Sequence, residues 1–234
     1  MTERRLPLAL NADVGEGCGQ DEALVPLLDE VNIACAEHAG DESSMRQAAA
    51  LAVAHGCRIG AHPGYADRAH FGRRPLHLPF HRLRALLLEQ LQRLERCLQE
   101  TGGRMVYVKP HGALYNQAVT DPQLAEGLVR VVAEYEPGLA VMTLPGSALA
   151  AAAAGAGMAV IAEGFADRRY DSQGRLLPRD HPRAMIEDVD EAVDQACRLQ
   201  REAGIDSLCV HGDNPRAVAF VQALRQRLRA VPED

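Results

Sequence analysis

Tryptophan is absent from this chain of 234 residues, aromatic residues make up only 4%, and lysine occurs once, as Lys109. A core must therefore rest on Leu, Val, Ile and above all Ala, which suits closely packed helices. No apolar run approaches the ~18 residues needed to cross a bilayer. The start, Met1-Thr-Glu-Arg-Arg5, leads into an apolar stretch too short for a secretory signal. Six cysteines, at positions 18, 35, 57, 97, 197 and 209, never stand in C-x-x-C spacing, which argues against a zinc ribbon or a disulfide framework. They read as reduced, mostly buried small hydrophobes of a soluble, cytoplasmic protein. A basic stripe is missing too: the net charge is −7, with acids spread along the chain, which disfavours a nucleic-acid partner.

What is present is alternation. Short apolar runs stand at Leu6–Leu10, Val31–Cys35, Cys57–Ala61, Arg104–Val108, Leu139–Thr143, Met158–Ala162 and Ser207–Val210. Between them lie segments of helical period: Ser43–His55, Phe80–Glu100, Pro122–Tyr135, Ser147–Ala154, Pro182–Ala203 and Pro215–Ala230. Asp121-Pro122 and Asn214-Pro215 each set a cap before a proline at the first helical position. Seven strands alternating with helices predict parallel β-α units, and no linker divides residues 1–234, so one domain is expected. Without a glycine-rich nucleotide fingerprint after the first strand, a closed barrel is preferred to an open doubly wound sheet.

Just beyond the carboxyl ends of most strands stands a polar cluster. These are Asn11-Ala-Asp13-Val-Gly-Glu16, His38-Ala-Gly-Asp41, His62-Pro-Gly-Tyr65, Lys109-Pro-His111-Gly112, Glu163-Gly-Phe-Ala-Asp167-Arg168 and His211-Gly-Asp213-Asn214. Parallel strands bring those ends to one rim, where β/α folds keep their active sites. Taken singly, Asp41 and Asn214 also read as helix caps, and the glycines as requirements of tight turns. Turns alone do not require His, Lys or acid to recur at one end, and the opposite strand ends carry nothing comparable. Asp13, Glu16, His38, His62, Lys109 and His111 are therefore the expected catalytic set. Asn11, Asp41, Arg73, Arg74, Glu163, Asp167, Arg168, His211 and Asp213 are expected to bind substrate.

Asp13, His38 and His62 form a carboxylate–imidazole set suited to Zn, Mn or Ni. Metal-free acid–base chemistry, with Asp13 or Glu16 orienting an imidazole that activates water, reads equally well. Pro110 should break its strand and turn Lys109 and His111 to one face, a pair suited to a developing oxyanion. All basic residues except Lys109 are arginine. The arginines of two long loops, 63–79 and 163–181, offer forks for a carboxylate or phosphate. Tyr170-Asp-Ser-Gln-Gly-Arg-Leu-Leu177 in the second loop reads as a hairpin that could act as a lid.

Seven motifs occur in order: Asn11-Ala-Asp-Val-Gly-Glu-Gly17, Asn32-Ile-Ala-Cys-x-x-His-Ala-Gly-Asp41, Gly60-Ala-His-Pro-Gly-Tyr65, Phe71-Gly-Arg-Arg74, Val108-Lys-Pro-His-Gly-Ala-Leu-Tyr-Asn116, Glu163-x-Phe-Ala-Asp-Arg-x-Tyr170 and Val210-His-Gly-Asp-Asn-Pro215. Together, from residue 8 to about 220, the chain resembles the LamB/YcsF family. The resemblance implies a seven-stranded, TIM-like β/α barrel of the glycoside hydrolase/deacetylase type. It also implies opening of the 5-oxo-L-proline (pyroglutamate) lactam to L-glutamate, coupled to hydrolysis of ATP to ADP and phosphate. The partners implied are 5-oxoprolinase subunits B and C. Two departures stand near the rim: Ala36-Glu37 where the family usually has Gly-Phe, and a first loop, Cys18–Asp21, shorter than is typical. A standalone metal-dependent deacetylase or amidohydrolase, and a non-catalytic subunit that binds a small acid, are the alternatives.

Overall fold

Alternation of short β-branched runs with amphipathic stretches leaves each strand buried on both faces, the condition for an all-parallel sheet. A computed structural model describes residues 8–179, 181–202, 204–214 and 216–229. Its strands are β1 (Ala9–Val14), β2 (Glu30–Ala34), β3 (Arg58–His62), β4 (Met105–Val108), β5 (Ala140–Thr143), β6 (Val160–Phe165) and β7 (Ser207–Cys209). Its helices are α1 (Asp21–Leu24), α2 (Glu42–His55), α3 (Phe80–Thr101), α4 (Gly112–Thr120), α5 (Pro122–Tyr135), α6 (Ala148–Gly155), α7 (Val189–Glu202) and α8 (Ala217–Arg229). The seven strands pair in sequence order, all parallel, and β1 pairs with β7 to close the barrel. Among the described residues no helix is long and apolar enough to cross a membrane.

Side-chain alternation sorts the strands into an outer and an inner face. Leu10, Ala12, Val14, Val31, Ile33, Ile59, Ala61, Val108, Val141 and Leu208 pack outward against the helices in the main core. α3 shows how the helices answer them: Leu83, Leu87, Leu91, Leu94 and Leu98 recur on one stripe and all are buried. Inside the barrel a small plug of Tyr107, Ala140, Met142 and Ile161 fills the lower end. Gly60 makes room for it, because a Cβ there would lie 2.0 Å from the Tyr107 ring.

Several boundaries differ from those expected. β1 runs to Val14 and β6 to Phe165. Asn11, Asp13 and Glu163 therefore sit within strands, not beyond them. The strand read as Leu6–Leu10 begins at Ala9, and Leu6 and Pro7 lie outside the described residues. The helix read from Pro182 starts at Val189, and the loop before it folds back on Arg168 through an isolated antiparallel bridge to Met185. Ala203, Pro215 and Ala230, included in the expected last two helices, also lie outside the described residues. Helices α1 and α4 were not anticipated. α4 follows directly on His111 and buries Ala113, Leu114, Tyr115 and Ala118. The amino ends of the strands are not featureless either: Glu30, at the start of β2, is buried and ion-paired to Arg58 at 2.5 Å.

Candidate active site

At the carboxyl ends of the strands lies a cavity of about 490 Å³, lined in part by Asp13, His62, Lys109, His111, Arg168 and His211. They come from five places in the chain. Asp13 is the penultimate residue of β1, and His62 ends β3. Lys109 and His111 flank Pro110, which ends β4; the backbone there still bonds toward β3, Lys109 N to Ala61 O at 2.9 Å and His111 N to Pro63 O at 2.8 Å. Both side chains reach the same mouth.

Lys109 is buried, which a lone ammonium could not tolerate. Its Nζ lies 2.6 Å from Glu163 Oε1 and 3.1 Å from Asp13 Oδ1, with Asn11 Oδ1 at 3.4 Å and Cys209 Sγ at 3.2 Å. Burial works against the charge, but Asp13 and then Cys209 and Glu163 hold Lys109 well above the ordinary lysine range. Reciprocally, burial works against ionised Asp13, while His62 and Lys109 keep its carboxyl well below the usual carboxylate range. The three ammonium protons are committed to the barrel wall. Lys109 thus positions Asp13 and Glu163, and Tyr115 of α4 donates to the other oxygen of Glu163 at 3.0 Å.

A polar thread extends down from this group. Asn32 donates to both Asp13 Oδ1 and Asn11 Oδ1, Asn11 donates to Ser207 Oγ, and Ser207 donates to Glu30. Every buried group in it is partnered, as a low-dielectric interior requires. Asn11, expected to bind substrate, therefore lies beneath the cavity, inside the wall.

Beside Asp13 stands an imidazole cluster. His62 Nδ1 donates to the Lys109 carbonyl at 2.7 Å, and His111 Nε2 donates to the Phe71 carbonyl at 2.8 Å. A carbonyl only accepts, so both tautomers are fixed. The remaining nitrogens, His62 Nε2 and His111 Nδ1, face each other at 3.0 Å. His38 stacks on His111 with ring centroids 3.7 Å apart and planes within 4°. Its Nε2 lies 3.2 Å from Glu16 Oε1, which is 3.5 Å from His111 Nδ1. Burial first, then neighbouring imidazoles, pushes His38 and His111 well below the ordinary histidine range. Burial and the charge of Asp13 push Glu16 well above the usual carboxylate range. Phe71 carries φ +54, a costly conformation for an aromatic residue, and this turns its carbonyl onto His111.

Three arginines edge the mouth. Arg73 and Arg179, from the two long loops, both bind Asp213, Arg179 Nη1 at 2.9 Å. Arg168 is buried, donates to the Leu177 carbonyl, leaves its Nε without a partner, and forms no ion pair among the described residues. Burial, reinforced by Arg179, lowers it to about 10, so it stays cationic at neutral pH. His211 lines the cavity with Nδ1 on Asp167 at 2.9 Å, leaving Nε2 as its free nitrogen. The hairpin expected over Tyr170–Leu177 is present as a Tyr170–Leu176 bridge.

Of the nine expected binding residues only Arg73, Arg168 and His211 line the cavity; Asn11, Glu163, Asp167 and Asp213 stand behind them as partners of lining side chains, and Asp41 and Arg74 lie apart. Asp41 is exposed and caps α2, accepting from Ser44 N at 2.9 Å while Ser44 Oγ accepts from Asp41 N. Arg74 is exposed and lies 3.5 Å from His70, not in the cavity wall. Sequence reading also passed over contributors. Phe71, Tyr115 and Phe165 line or brace the site, yet nothing distinguishes them from core aromatics before the fold is known. Arg179 was visible as a loop arginine, but only the fold brings it against Asp213.

Comparison with known proteins agrees with this geometry. Residues 8–232 match the LamB/YcsF family. Proteins named as the A subunit of 5-oxoprolinase, from Neisseria meningitidis serogroups C and A, are 46% identical over 94% of this chain and 95% of theirs. The crystal structure of a lactam utilization protein from Thermus thermophilus superposes with a TM-score of 0.88 at 36% identity, covering 96% of each chain. A family 4 carbohydrate esterase from Streptomyces lividans shares the fold, with a TM-score of 0.52 at 15% identity over 95% of this chain and 87% of its own. Motif order, barrel architecture and near full-length similarity converge: the chain belongs to the LamB/YcsF family.

Proposed function

We propose that this chain is one subunit of an ATP-dependent 5-oxoprolinase. It would open the lactam of 5-oxo-L-proline to L-glutamate as ATP is hydrolysed to ADP and phosphate, in company with subunits B and C. The names of its Neisseria and Thermus relatives support the reaction class. The observation that carries the reading to this site is Arg168, a buried guanidinium without an ion-pair partner among the described residues, set in the wall of a cavity sized for a small acid. A guanidinium fork there matches the carboxylate of 5-oxoproline.

The lactam is a resonance-stabilised amide whose hydrolysis runs uphill, which is the reason for coupling to ATP. Transfer of the terminal phosphoryl group to the lactam oxygen activates the ring carbon. Water deprotonated by a carboxylate at the Asp13–Glu16 side attacks that carbon; the ring C–N bond breaks as the nitrogen takes a proton, leaving the γ-glutamyl phosphate, and a second water then releases phosphate to give glutamate. His211, oriented by Asp167, is better placed to give that proton than His111, both of whose nitrogens face protein groups. Lys109 fixes Asp13 and Glu163 in place while this happens.

The test is glutamate formation from 5-oxoproline and ATP by this chain reconstituted with its partner subunits. Arg168→Ala should raise KM about tenfold or more, as expected for loss of a charged hydrogen bond worth ~1.5–3 kcal/mol. Absence of ATP-dependent glutamate formation by the wild-type complex would overturn the reading. A second reading, an amidohydrolase that works without ATP, is favoured by the imidazole cluster alone and predicts turnover in the isolated chain.

A further inference from the structure

The His62–His111 contact is electrostatically incomplete. Each ring donates its other nitrogen's proton to a backbone carbonyl, so in the neutral rings two lone pairs point at one another across 3.0 Å. Lone pairs at that separation repel unless a cation lies between them. The planes of the two rings meet at 89°, an edge-on arrangement that leaves both nitrogens facing the same space. A third donor, Glu16 Oε1, stands 3.5 Å from His111 Nδ1. One donor atom from each of Glu16, His38, His62 and His111 lies within 4.8 Å of all the others.

These separations suit a common ion. Two ligands each about 2.0–2.1 Å from a tetrahedral centre lie roughly 3.3 Å apart. Carbonyl acceptors behind both imidazoles are the usual means of fixing tautomer and ring orientation at a metal. We propose that His62 Nε2, His111 Nδ1 and Glu16 bind a divalent transition-metal ion, with the remaining coordination position open to the cavity.

His38 has a different part. Its ring lies parallel to His111, so an ion in the plane of one is far out of the plane of the other, and the two cannot both be good ligands. Its Nε2, 3.2 Å from Glu16 Oε1, instead holds the carboxylate in place. This revises the set expected from sequence, Asp13, His38 and His62. Asp13 Oδ1 is taken by Lys109 and Asn32, although its other oxygen stays 3.4 Å from His62 Nε2. Gly72 permits the arrangement: with φ +63, its Cβ position would lie 2.8 Å from His38 Cβ and 3.0 Å from His111 Cδ2. Two imidazoles and a carboxylate suit Zn²⁺, Mn²⁺ or Ni²⁺ better than a hard, oxygen-seeking ion. Such an ion, when bound, supplies Lewis-acid polarisation at the open position.

The proposal rests on side-chain geometry and is independent of the lactam reaction. Its test needs neither partner subunits nor substrate. The intact chain, stripped with chelator and dialysed against Zn²⁺ or Co²⁺, should retain about one ion per chain by elemental analysis, and X-ray absorption should show two imidazoles in the first coordination sphere. His62→Ala and His111→Ala should lose the ion while circular dichroism stays unchanged. His38→Ala should keep it with affinity weakened about 10–100-fold, the usual range for a group that orients a ligand. A wild-type chain that retains no stoichiometric ion overturns the proposal however the variants fold. So does a bound ion without imidazole ligands, or one whose affinity His38→Ala abolishes and His111→Ala leaves intact.

Discussion

Ala36 carries φ +67, a left-handed conformation that costs an L side chain energy. Its carbonyl accepts from Arg68, so the conformation is held by the loop. Ala36→Gly should stabilise the protein by ~1 kcal/mol, the residual after glycine's greater unfolded-state entropy is set against the relieved strain. Chemical denaturation measures it; a loss of stability would refute the account. Asp41 illustrates the opposite case, a residue with functional promise but a local job. As one half of a capping box it should cost ~1 kcal/mol on replacement by Ala, and turnover should be unaffected. A large rise in KM for Asp41→Ala, with the fold intact, would return it to the binding site.

Among the elements, β3 and β4 carry the tightest constraint. Gly60 and Tyr107 are register partners, and the register shifts between Ile59 and Gly60, so the phenol lies across a bare backbone. Its hydroxyl is 2.8 Å from Asn32 Oδ1 and 3.0 Å from the Val31 carbonyl. Gly60→Ala should therefore destabilise by at least the ~1–3 kcal/mol typical of overpacking, read as a lowered denaturation midpoint. An unchanged midpoint would mean that the plug is looser than its contacts imply. Strands and long helices were legible because period and burial go together: the leucine stripe of α3 and the apolar runs of β2 and β5 admit one reading. β1 and β6 were cut short for a physical reason. Their last residues include Asn11, Asp13 and Glu163, polar groups that usually signal the end of a strand, here facing a polar barrel interior. α4 was missed because it follows a proline closely, opens on Gly112 and carries little amphipathic contrast. The convergence of His62, Lys109 and His111 on one mouth was readable from strand ends; their tautomers, and the split between Asp41 and its neighbours, depend on contacts across the barrel.

For the whole molecule, the two long loops are tied together across the mouth by Arg73 and Arg179 on Asp213. Burial acts to raise Asp213, but Arg179, with His211 and Arg73, outweighs it and brings the carboxyl to about 2. An unfolded Asp titrates near ~3.9, so this depressed value contributes stability fully present above about pH 4 and lost as pH falls toward 2. Wild type and Arg179→Ala should accordingly differ in melting temperature at pH 6, with the difference shrinking only as the pH falls through about 2. A gap that widens on acidification would contradict the assignment. The closed ring has a further effect on when the site comes into being. The ammonium of β4's end takes its counter-charges from the first strand and the sixth, and the seventh strand closes the ring between those two. A chain emerging from the ribosome can form helices and pair neighbouring strands early, but the cavity, whose wall includes His211 just after β7, is complete only when the last stave of the cylinder is in place.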